Sequence, residues 1–329
     1  MNPLLHISHL SLSFDTYRGR LEAIHDVSIQ VHAGETVGIV GESGCGKSVT
    51  SQAVMKLLPQ SVAHYDSGRI YWDGKDIVPF SEKEMNHLRG NEMAMVFQDP
   101  MTALNPVFTI GSQIEEGLKL HGMLSKTERQ AKALALLQDV GITSPEERLH
   151  QYPHELSGGM RQRCLIAMAL SCKPRLLFAD EPTTALDVTT EAQVLALLQR
   201  LQQETQMAMV LVSHNLGVIA QMCQRVYVMY AGCVVETGSV EDIFYRPAHP
   251  YTKGLLASLP DTAQKDKVLV GIAGQAPDLF RMPQGCRFFR RCPQAMQICT
   301  RELPVRKTVA PGHESACWLL ERGSCNGAH

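Results

Sequence analysis

A glycine-rich stretch near the start of the chain has the residue types that hold phosphate groups. Gly41-Glu-Ser-Gly-Cys-Gly-Lys-Ser48 follows the apolar run Thr36–Val40 and opens a helical pattern that ends near Pro59. Glycines let the chain wrap closely around phosphates, so that backbone N–H groups point inward, and the helix N-terminus adds positive charge. Lys47 is placed for the β- and γ-phosphates, and the Ser48 hydroxyl for Mg²⁺. A plain glycine turn is the alternative, but the flanking strand and helix favour a nucleotide site for ATP or GTP, which we call the P-loop (residues 41–48).

A pair of carboxylates ends a second apolar run. Leu176–Asp180 reads as a buried strand, and Glu181 follows it directly. In a parallel sheet the carboxyl ends of strands share one edge, which places these groups beside the P-loop. Asp180 would hold Mg²⁺ through a water molecule, and Glu181 would polarise the attacking water as a general base. Without the P-loop, two such carboxylates would more often be a solvated strand end.

A second anion site is predicted far from the first in sequence. Leu156-Ser-Gly-Gly-Met160 precedes the helical pattern Arg161–Ser171. Small residues and unpaired N–H groups at a helix N-terminus attract anions. Two phosphate sites in one chain do not obviously serve one nucleotide.

Composition limits the class of protein. The chain has 329 residues, long enough for two domains, with 31 basic and 33 acidic residues. This near-neutral balance gives no basic field for nucleic acid and no basic block for lipid. The N-terminus lacks a secretory signal pattern, and the apolar runs are too short to span a bilayer. We expect a soluble, cytoplasmic protein.

The elements that must position these residues alternate in type. Strand patterns occupy Leu4–Phe14, Asp26–His32 and Gly68–Gly74, the last with hairpin chemistry at Asp73-Gly74. Helical patterns dominate from about residue 100 to 165, where Ser125 and Glu128 form a capping-box signature. Strand patterns return at 175–179, 207–213 and 225–229, with a helix at 190–203 between them. This order predicts an α/β fold with a parallel core sheet and an inserted helical lobe.

The segment LSGGMRQR, between the P-loop and the carboxylate strand, resembles the signature of ATP-binding-cassette (ABC) ATPases. The resemblance covers residues 4–245, with six motifs in the family's order. It implies an ABC nucleotide-binding domain over residues 1–245, with a β-subdomain and the helical lobe, followed by a separate cysteine-rich extension over residues 246–329. It also implies that two chains pair head to tail, so that Ser157, Gly158 and Gly159 close over the partner's ATP.

The family resemblance also implies roles for single residues. Gln98 resembles the Q-loop glutamine that contacts Mg²⁺ and water, and Asp187 resembles the D-loop aspartate that crosses to the other ATPase. His214 resembles the switch histidine at the γ-phosphate. Phe14 matches the aromatic on which adenine stacks, with Tyr17 as second choice. The ATP-binding set is Phe14, Gly41, Ser43, Gly44, Cys45, Gly46, Lys47, Ser48, Val49, Gln98 and Asp180; Mg²⁺ falls to Ser48 and Gln98, and catalysis to Glu181, His214 and Gln98.

Cys45 lies inside the P-loop, close to Lys47 and a helix N-terminus. Both features lower the pKa of a thiol. For function, Cys45 simply replaces another small residue. We nevertheless expect alkylation of Cys45 to inactivate the enzyme, and MgATP to protect it.

Residues 246–260, Arg-Pro-Ala-His-Pro-Tyr-Thr-Lys-Gly-Leu-Leu-Ala-Ser-Leu-Pro, resemble the segment that marks the oligopeptide/dipeptide branch of ABC importers. That branch also contains subunits that import nickel, glutathione and related small solutes. The segment therefore identifies a subfamily and not a substrate.

Four cysteines follow in the extension, namely Cys286, Cys292, Cys299 and Cys317. Their spacing fits structural zinc poorly, because zinc sites usually pair cysteines two to four residues apart. A [4Fe–4S] cluster has no single required spacing, and the arrangement is similar to the cysteine tail of peptide-importer ATPases that carry one. The neighbouring arginines Arg287, Arg290, Arg291 and Arg301 would offset the cluster's charge. Zinc and free or oxidised thiols remain alternatives, and Cys325 lies outside the pattern.

These features together predict an ATP-hydrolysing motor subunit of an import complex, working on di- or oligopeptides at the cytoplasmic face of the cell membrane. Its expected partners are a second, homologous ATPase, two membrane-spanning permeases and an extracytoplasmic solute-binding protein, and no nucleic acid. Import of nickel, glutathione or another small solute is the alternative. A non-transport ABC protein is less favoured, because such proteins generally carry two cassettes or long coiled-coil inserts. A regulatory module is disfavoured by the intact motor residues.

Overall fold

The computed structural model describes residues 2–122, 125–184, 186–258 and 271–322. The strands in these ranges are β1 (Leu5–Thr16), β2 (Gly19–Val31), β3 (Thr36–Val40), β4 (Ala63–Trp72), β5 (Lys75–Asp76), β6 (Met93–Val96), β7 (Leu176–Asp180), β8 (Ala208–Ser213), β9 (Arg225–Tyr230), β10 (Cys233–Ser239), β11 (Lys307–Ala310) and β12 (His313–Ser315).

The helices are α1 (Lys47–Val54), α2 (Glu82–Leu88), α3 (Pro100–Ala103), α4 (Ile110–His121), α5 (Lys126–Asp139), α6 (Pro145–Arg148), α7 (Gly158–Ala169), α8 (Val188–Thr205), α9 (Leu216–Met222), α10 (Val240–Tyr245), α11 (Pro250–Ala257) and α12 (Leu319–Arg322), with 3₁₀ turns at Pro153–Glu155 and Gln297–Thr300. Within the described residues, no helix is both long and apolar enough to cross a bilayer.

The chain forms two compact units, and the first consists mainly of Asp76–Val212. Its sheet contains β6, β7 and β8, all parallel, with Leu176 opposite both Met93 and Ala208. Both β7 and β8 are buried along their whole length, as expected for strands covered on both faces. Helix α7 packs against β6 and against α3, α4, α5 and α8. The parallel strands with packed helices confirm the predicted α/β fold.

Local signals in the first unit act as predicted from the sequence. The Ser125 hydroxyl accepts from the N–H of Glu128, and the Glu128 carboxylate accepts from the N–H of Ser125, which completes the capping box of α5. Helix α5 ends just before Gly141, whose φ of 73° suits a helix C-terminus. Both ends of this helix are therefore set by its own sequence.

The second unit contains Leu5–Gln30, Val37–Lys75 and the chain from Ser213 onward. One sheet has the strand order β2-β1-β4-β5, with β1 and β4 antiparallel and Asp73-Gly74 at the tight turn before β5. The other runs β11-β12-β10-β9-β3, and only its β3–β9 pair is parallel. Strands β11 and β12 were not predicted, because they are only four and three residues long and carry no apolar alternation.

Candidate functional site

The P-loop follows β3, whose five residues are all buried. Gly41 has a φ of 153°, and a Cβ there would lie 2.2 Å from the carbonyl oxygen of Met229. Gly46 has a φ of 101°, and a Cβ there would lie 2.8 Å from the Ile24 side chain. The backbone therefore requires glycine at both positions.

The P-loop lysine is held by the loop itself. Lys47 begins α1 and is only 5% exposed. Its ammonium donates to the carbonyl oxygens of Gly41 (2.9 Å) and Glu42 (3.1 Å). Ser43 and Gly44 are exposed at the tip of the loop, and Ser48 and Val49 are half-buried at the start of the helix. The cation thus lies inside a ring of backbone, which suits recognition of phosphate oxygens.

The expected lowering of the Cys45 thiol pKa is wrong. Cys45 is 4% exposed. Burial raises the pKa of its thiol to about 11, and the nearby Lys47 ammonium lowers it by less. Desolvation of the thiolate outweighs the nearby charge. Cys45 is a packed residue, in keeping with its role as a replacement for another small side chain.

The structure brings two predicted catalytic residues into contact in the first unit. Glu181 follows β7, and its Oε2 accepts hydrogen bonds from Gln98 Nε2 and Thr184 Oγ1, both at 3.0 Å. Asp180, the last residue of β7, is 4% exposed. Two oxygen-bearing groups of this kind beside an amide are suited to hold Mg²⁺ and a water molecule.

Glu181 also has an unusual backbone. Its φ is 45°, in the left-handed region that side-chain-bearing residues rarely adopt. Its N–H donates to the carbonyl of Val212 at 2.9 Å, which fixes this conformation. Strained residues of this kind cluster at functional sites, because the surrounding structure must hold them in place.

The signature residues sit at the start of α7. Ser157 is its N-cap, and its hydroxyl accepts from the N–H of Met160 at 3.3 Å. Ser157 and Gly158 are exposed and Gly159 is half-buried. Their exposure suits contact with a ligand on another chain.

Asp187 is linked to this signature through one threonine. Asp187 caps α8 by accepting from the N–H groups of Thr189 and Thr190, and these bonds hold the pKa of its carboxyl below the usual range, with the Thr190 N–H foremost. The Thr190 hydroxyl also donates to Asp187 at 2.7 Å. A Cβ on Gly159 would lie 2.6 Å from the Thr190 methyl carbon. Thr190 therefore packs against the signature residue Gly159 and also hydrogen-bonds to Asp187.

The remaining predicted residues belong to the second unit, as the P-loop does. Phe14 is half-buried near the end of β1, opposite Ala63 of β4. Tyr17, the second choice, is 98% exposed at the turn into β2. His214 is exposed between β8 and α9.

Comparison with known proteins identifies the family. The ABC transporter family model matches residues 24–184, and the model described as "Oligopeptide/dipeptide transporter, C-terminal region" matches residues 235–299. The dipeptide transport ATP-binding protein DppD of Bacillus subtilis is 50% identical over 98% of this chain and 96% of its own length. This chain belongs to the ABC transporter family. It is an ABC ATPase, and ATP with Mg²⁺ is the cofactor expected for it.

Other relatives of this ABC ATPase agree. The oligopeptide transport ATP-binding protein OppD of Bacillus subtilis is 50% identical over 96% of this chain and 89% of its own. DppD of Escherichia coli is 47% identical over 95% of this chain and 96% of its own. Among solved structures, the dimeric post-hydrolysis state of the cassette MJ0796, bound to ADP and Pi, matches with a TM-score of 0.65 and 27% identity over 72% of this chain and 98% of that one.

The two family matches contain many of the predicted residues. The P-loop, Gln98, the signature, Asp180 and Glu181 lie within residues 24–184, and Cys286, Cys292 and Cys299 lie within 235–299. Phe14, Asp187, His214 and Cys317 fall outside both matches, and Cys325 lies outside the described residues.

The four cysteines of the extension line one small cavity, together with His249, Phe288 and Phe289 among others. Burial raises the pKa of Cys286 to about 12 and also raises the pKa values of Cys292 and Cys317. Across the described ranges, no three His, Cys, Asp or Glu side chains are placed to hold a single metal ion.

Two of the arginines expected to offset a cluster's charge have other partners. Arg287 pairs with Glu22, and Arg291 pairs with Glu42 of the P-loop. These ion pairs were not predicted from the sequence, because the two arginines were considered only together with the adjacent cysteines. Tyr251 was likewise treated only as part of a subfamily marker, although Tyr251 contacts the P-loop.

Proposed function

We propose that this ABC ATPase is the motor subunit of an import complex that takes up di- or oligopeptides at the cytoplasmic face of the cell membrane. The observation that carries the proposal is the similarity to dipeptide transport ATP-binding proteins of two bacteria along nearly the whole chain, extension included. Import of nickel, glutathione or another small solute by the same machinery is the alternative.

In this proposal each predicted site residue has one role toward MgATP. The P-loop N–H groups and Lys47 bind the phosphates, Ser48 and Gln98 ligate Mg²⁺ with Asp180 acting through water, and Phe14 stacks on adenine. Glu181 accepts a proton from the attacking water, and His214 contacts the γ-phosphate. The Gln98–Glu181 hydrogen bond supports this division of roles, because the two side chains are in direct contact, as a metal-contacting amide and a base acting on one water molecule would be.

A second ATPase chain would complete each site. Ser157, Gly158 and Gly159 would cover the partner's ATP, and Asp187 would cross to the partner. The exposure of Ser157 and Gly158 and the dimeric state of the similar cassette MJ0796 support this arrangement. The other partners we propose are two permease subunits and an extracytoplasmic solute-binding protein. We also propose that the ATPase domain ends at residue 245 and that the extension begins at residue 246.

We further propose that Cys286, Cys292, Cys299 and Cys317 hold a [4Fe–4S] cluster. Their common cavity supports the fit, because each thiolate of such a cluster binds a different iron and need not reach a single ion. The raised pKa values of Cys286, Cys292 and Cys317 mean that these thiols would release protons when the cluster binds. Anaerobically purified protein should be brown and contain iron and acid-labile sulfide, whereas colourless protein with stoichiometric zinc would contradict the assignment.

The transport function is tested by isolating the complete complex from its native membrane. Mass spectrometry of the ligand on the solute-binding protein would identify the cargo, and peptides are expected. Nickel or glutathione would select the alternative. Recovery with ribosomes or DNA, without permeases, would contradict import.

A further inference from the structure

The P-loop residue Glu42 forms hydrogen bonds with two residues of the C-terminal extension. Its N–H donates to the hydroxyl of Tyr251 at 2.9 Å, and its Oε2 accepts from Arg291 Nη1 at 2.7 Å. Its carbonyl accepts from Lys47, which lies in the same loop. The N–H, the carboxylate and the carbonyl of Glu42 therefore each have a hydrogen-bond partner.

Arg291 is held rigidly on the extension. Its side chain is only 6% exposed. Its Nε donates to the carbonyl of Ala273 at 3.0 Å, and Nη2 donates to that of Ile272 at 3.1 Å. The bond to Glu42 is the main cause that raises the pKa of Arg291. A guanidinium fixed on two carbonyls sets the position of the carboxylate that it binds.

Tyr251 is equally fixed. It is fully buried, and its ring packs against Tyr230 at 4.6 Å and Phe288 at 5.4 Å between centroids. Phe288 also lines the cavity of the four cysteines. One aromatic cluster thus spans from the P-loop to the cysteine segment, by which we mean residues 286–299.

A second set of contacts, which we call a strut like the Arg291–Glu42 bond, connects Arg287 to the P-loop. Its Nη1 donates to the carbonyl of Ala231 at 2.5 Å, and Nη2 bonds to Glu22. Gly232, which follows Ala231 in the chain, donates its N–H to the carbonyl of the P-loop residue Cys45 at 2.9 Å. Arg287 directly follows Cys286 and Arg291 directly precedes Cys292, so both struts start beside a cysteine of the cavity.

We propose that the cysteine segment sets the geometry of the P-loop through Arg291 and Arg287, with Tyr251 fixing the Glu42 amide. Arg291 is then a positioning residue for nucleotide phosphates, acting through Glu42. The inference rests on the proposed nucleotide site. Loss of the contact would loosen the N–H cradle and weaken ATP and ADP alike, because both carry the phosphates that the loop encloses.

The test measures Kd for MgATP and MgADP with the full-length protein. Arg291→Ala should raise both Kd values about 10-fold, the scale of a lost hydrogen bond to a charged group, and Arg291→Lys should recover part of the loss. Arg290→Ala is the matched control, since it removes the same charge from the exposed neighbouring position. Global misfolding would lower the fraction of binding-competent protein instead of changing Kd.

Coupling between the two residues provides the second readout. Adding Arg291→Ala to Glu42→Ala should cost little more than either change alone, because each change removes the Arg291–Glu42 hydrogen bond. If Arg291→Ala does not fold, Tyr251→Phe keeps the ring packing, removes the hydroxyl that binds the Glu42 N–H and should also raise Kd.

Kd values for Arg291→Ala equal to those of Arg290→Ala, or effects of Arg291→Ala and Glu42→Ala that simply multiply, would overturn the proposal. Lys47→Ala distinguishes a failure of this inference from a failure of the proposed nucleotide site. If it abolishes nucleotide binding while Arg291→Ala and Tyr251→Phe have no effect, only the bracing role fails. If Lys47→Ala also binds normally, the nucleotide site itself is wrongly assigned.

Discussion

Gln98 Nε2 donates a 3.0 Å hydrogen bond to Glu181 Oε2, although the two residues lie 83 positions apart in the sequence. The bond joins the end of β6 to the end of β7 in the first unit. It orients the carboxylate whose proposed task is to accept a proton, and leaves Oε1 of Glu181 outside this bond. A change at either residue should therefore alter hydrolysis more than nucleotide binding.

Glu181→Gln should lower ATP turnover about 100-fold or more while leaving MgATP bound, because an amide accepts the bond from Gln98 but takes no proton at neutral pH. Single-turnover hydrolysis and the nucleotide content of the purified protein check this. Glu204→Gln, an exposed change on α8, is the control. Normal turnover in Glu181→Gln would remove Glu181 from the role of base.

Lys47→Ala should weaken MgATP binding about 100-fold, because it removes the one buried cation of the described P-loop from contact with the phosphates. Equilibrium binding of a fluorescent nucleotide measures the loss. Lys75→Ala, at an exposed position on β5, should bind as the wild type does. Unchanged affinity in Lys47→Ala would place the nucleotide elsewhere.

Ser157→Asp separates helix capping from a contact across two chains. Aspartate is as good an N-cap as serine, so α7 should stay stable, whereas Ser157→Ala should cost about 1 kcal/mol. The new carboxylate would repel the γ-phosphate of the partner's ATP, so ATP-dependent pairing and hydrolysis should fall sharply. Thr109→Asp, at the N-cap of α4, is the control. Full activity in Ser157→Asp would argue against the shared site.

His249 should make the stability of the extension depend on pH. Burial lowers the pKa of His249 from its ordinary value of 6.5 to about 3, so the folded protein keeps it neutral. Its Nδ1 accepts from the N–H of Tyr251 at 3.0 Å, which needs the unprotonated nitrogen. Between those two pH values the unfolded chain binds the extra proton. Stability from this group is therefore complete above pH 6.5 and falls as the pH drops toward 3.

His249→Asn should remove about 2 kcal/mol of the loss in unfolding free energy between pH 7 and pH 5, because asparagine can still cap α11. Tryptophan fluorescence reports on the second unit, to which Trp72 and Trp318 both belong. His87→Asn, at an exposed position of α2, controls for the loss of a histidine. An unchanged pH sensitivity in His249→Asn would show that the loss arises from other groups.

Features determined by neighbouring residues were readable from the sequence. The P-loop glycines, the Ser125–Glu128 capping box and the strand ending at Asp180 each depend on fewer than a dozen consecutive positions. The order of strands and helices then predicted the α/β class. The contact between Gln98 and Glu181 was not itself predicted, although it agrees with the rule that parallel strands end at one edge of a sheet.

Features that depend on distant residues were not readable. The strands β11 and β12 show no alternation, and they form because β10 offers a free edge for pairing. The pKa of Cys45 depends on burial, which motif spacing does not report. The carboxylate partners of Arg287 and Arg291 lie more than 240 positions away, beyond the reach of any local pattern.

The bond between Glu42 and Arg291 has a consequence for how the molecule is made. It joins positions 249 residues apart, with the P-loop near the beginning of the chain and its brace near the end. During translation the loop must wait until about 250 further residues have been made before Arg291 can reach Glu42. A chain that ended before Arg291 would contain every motif of the ATPase but would lack the contact that fixes its P-loop. In our proposal, full affinity for ATP therefore requires that the extension has been synthesised.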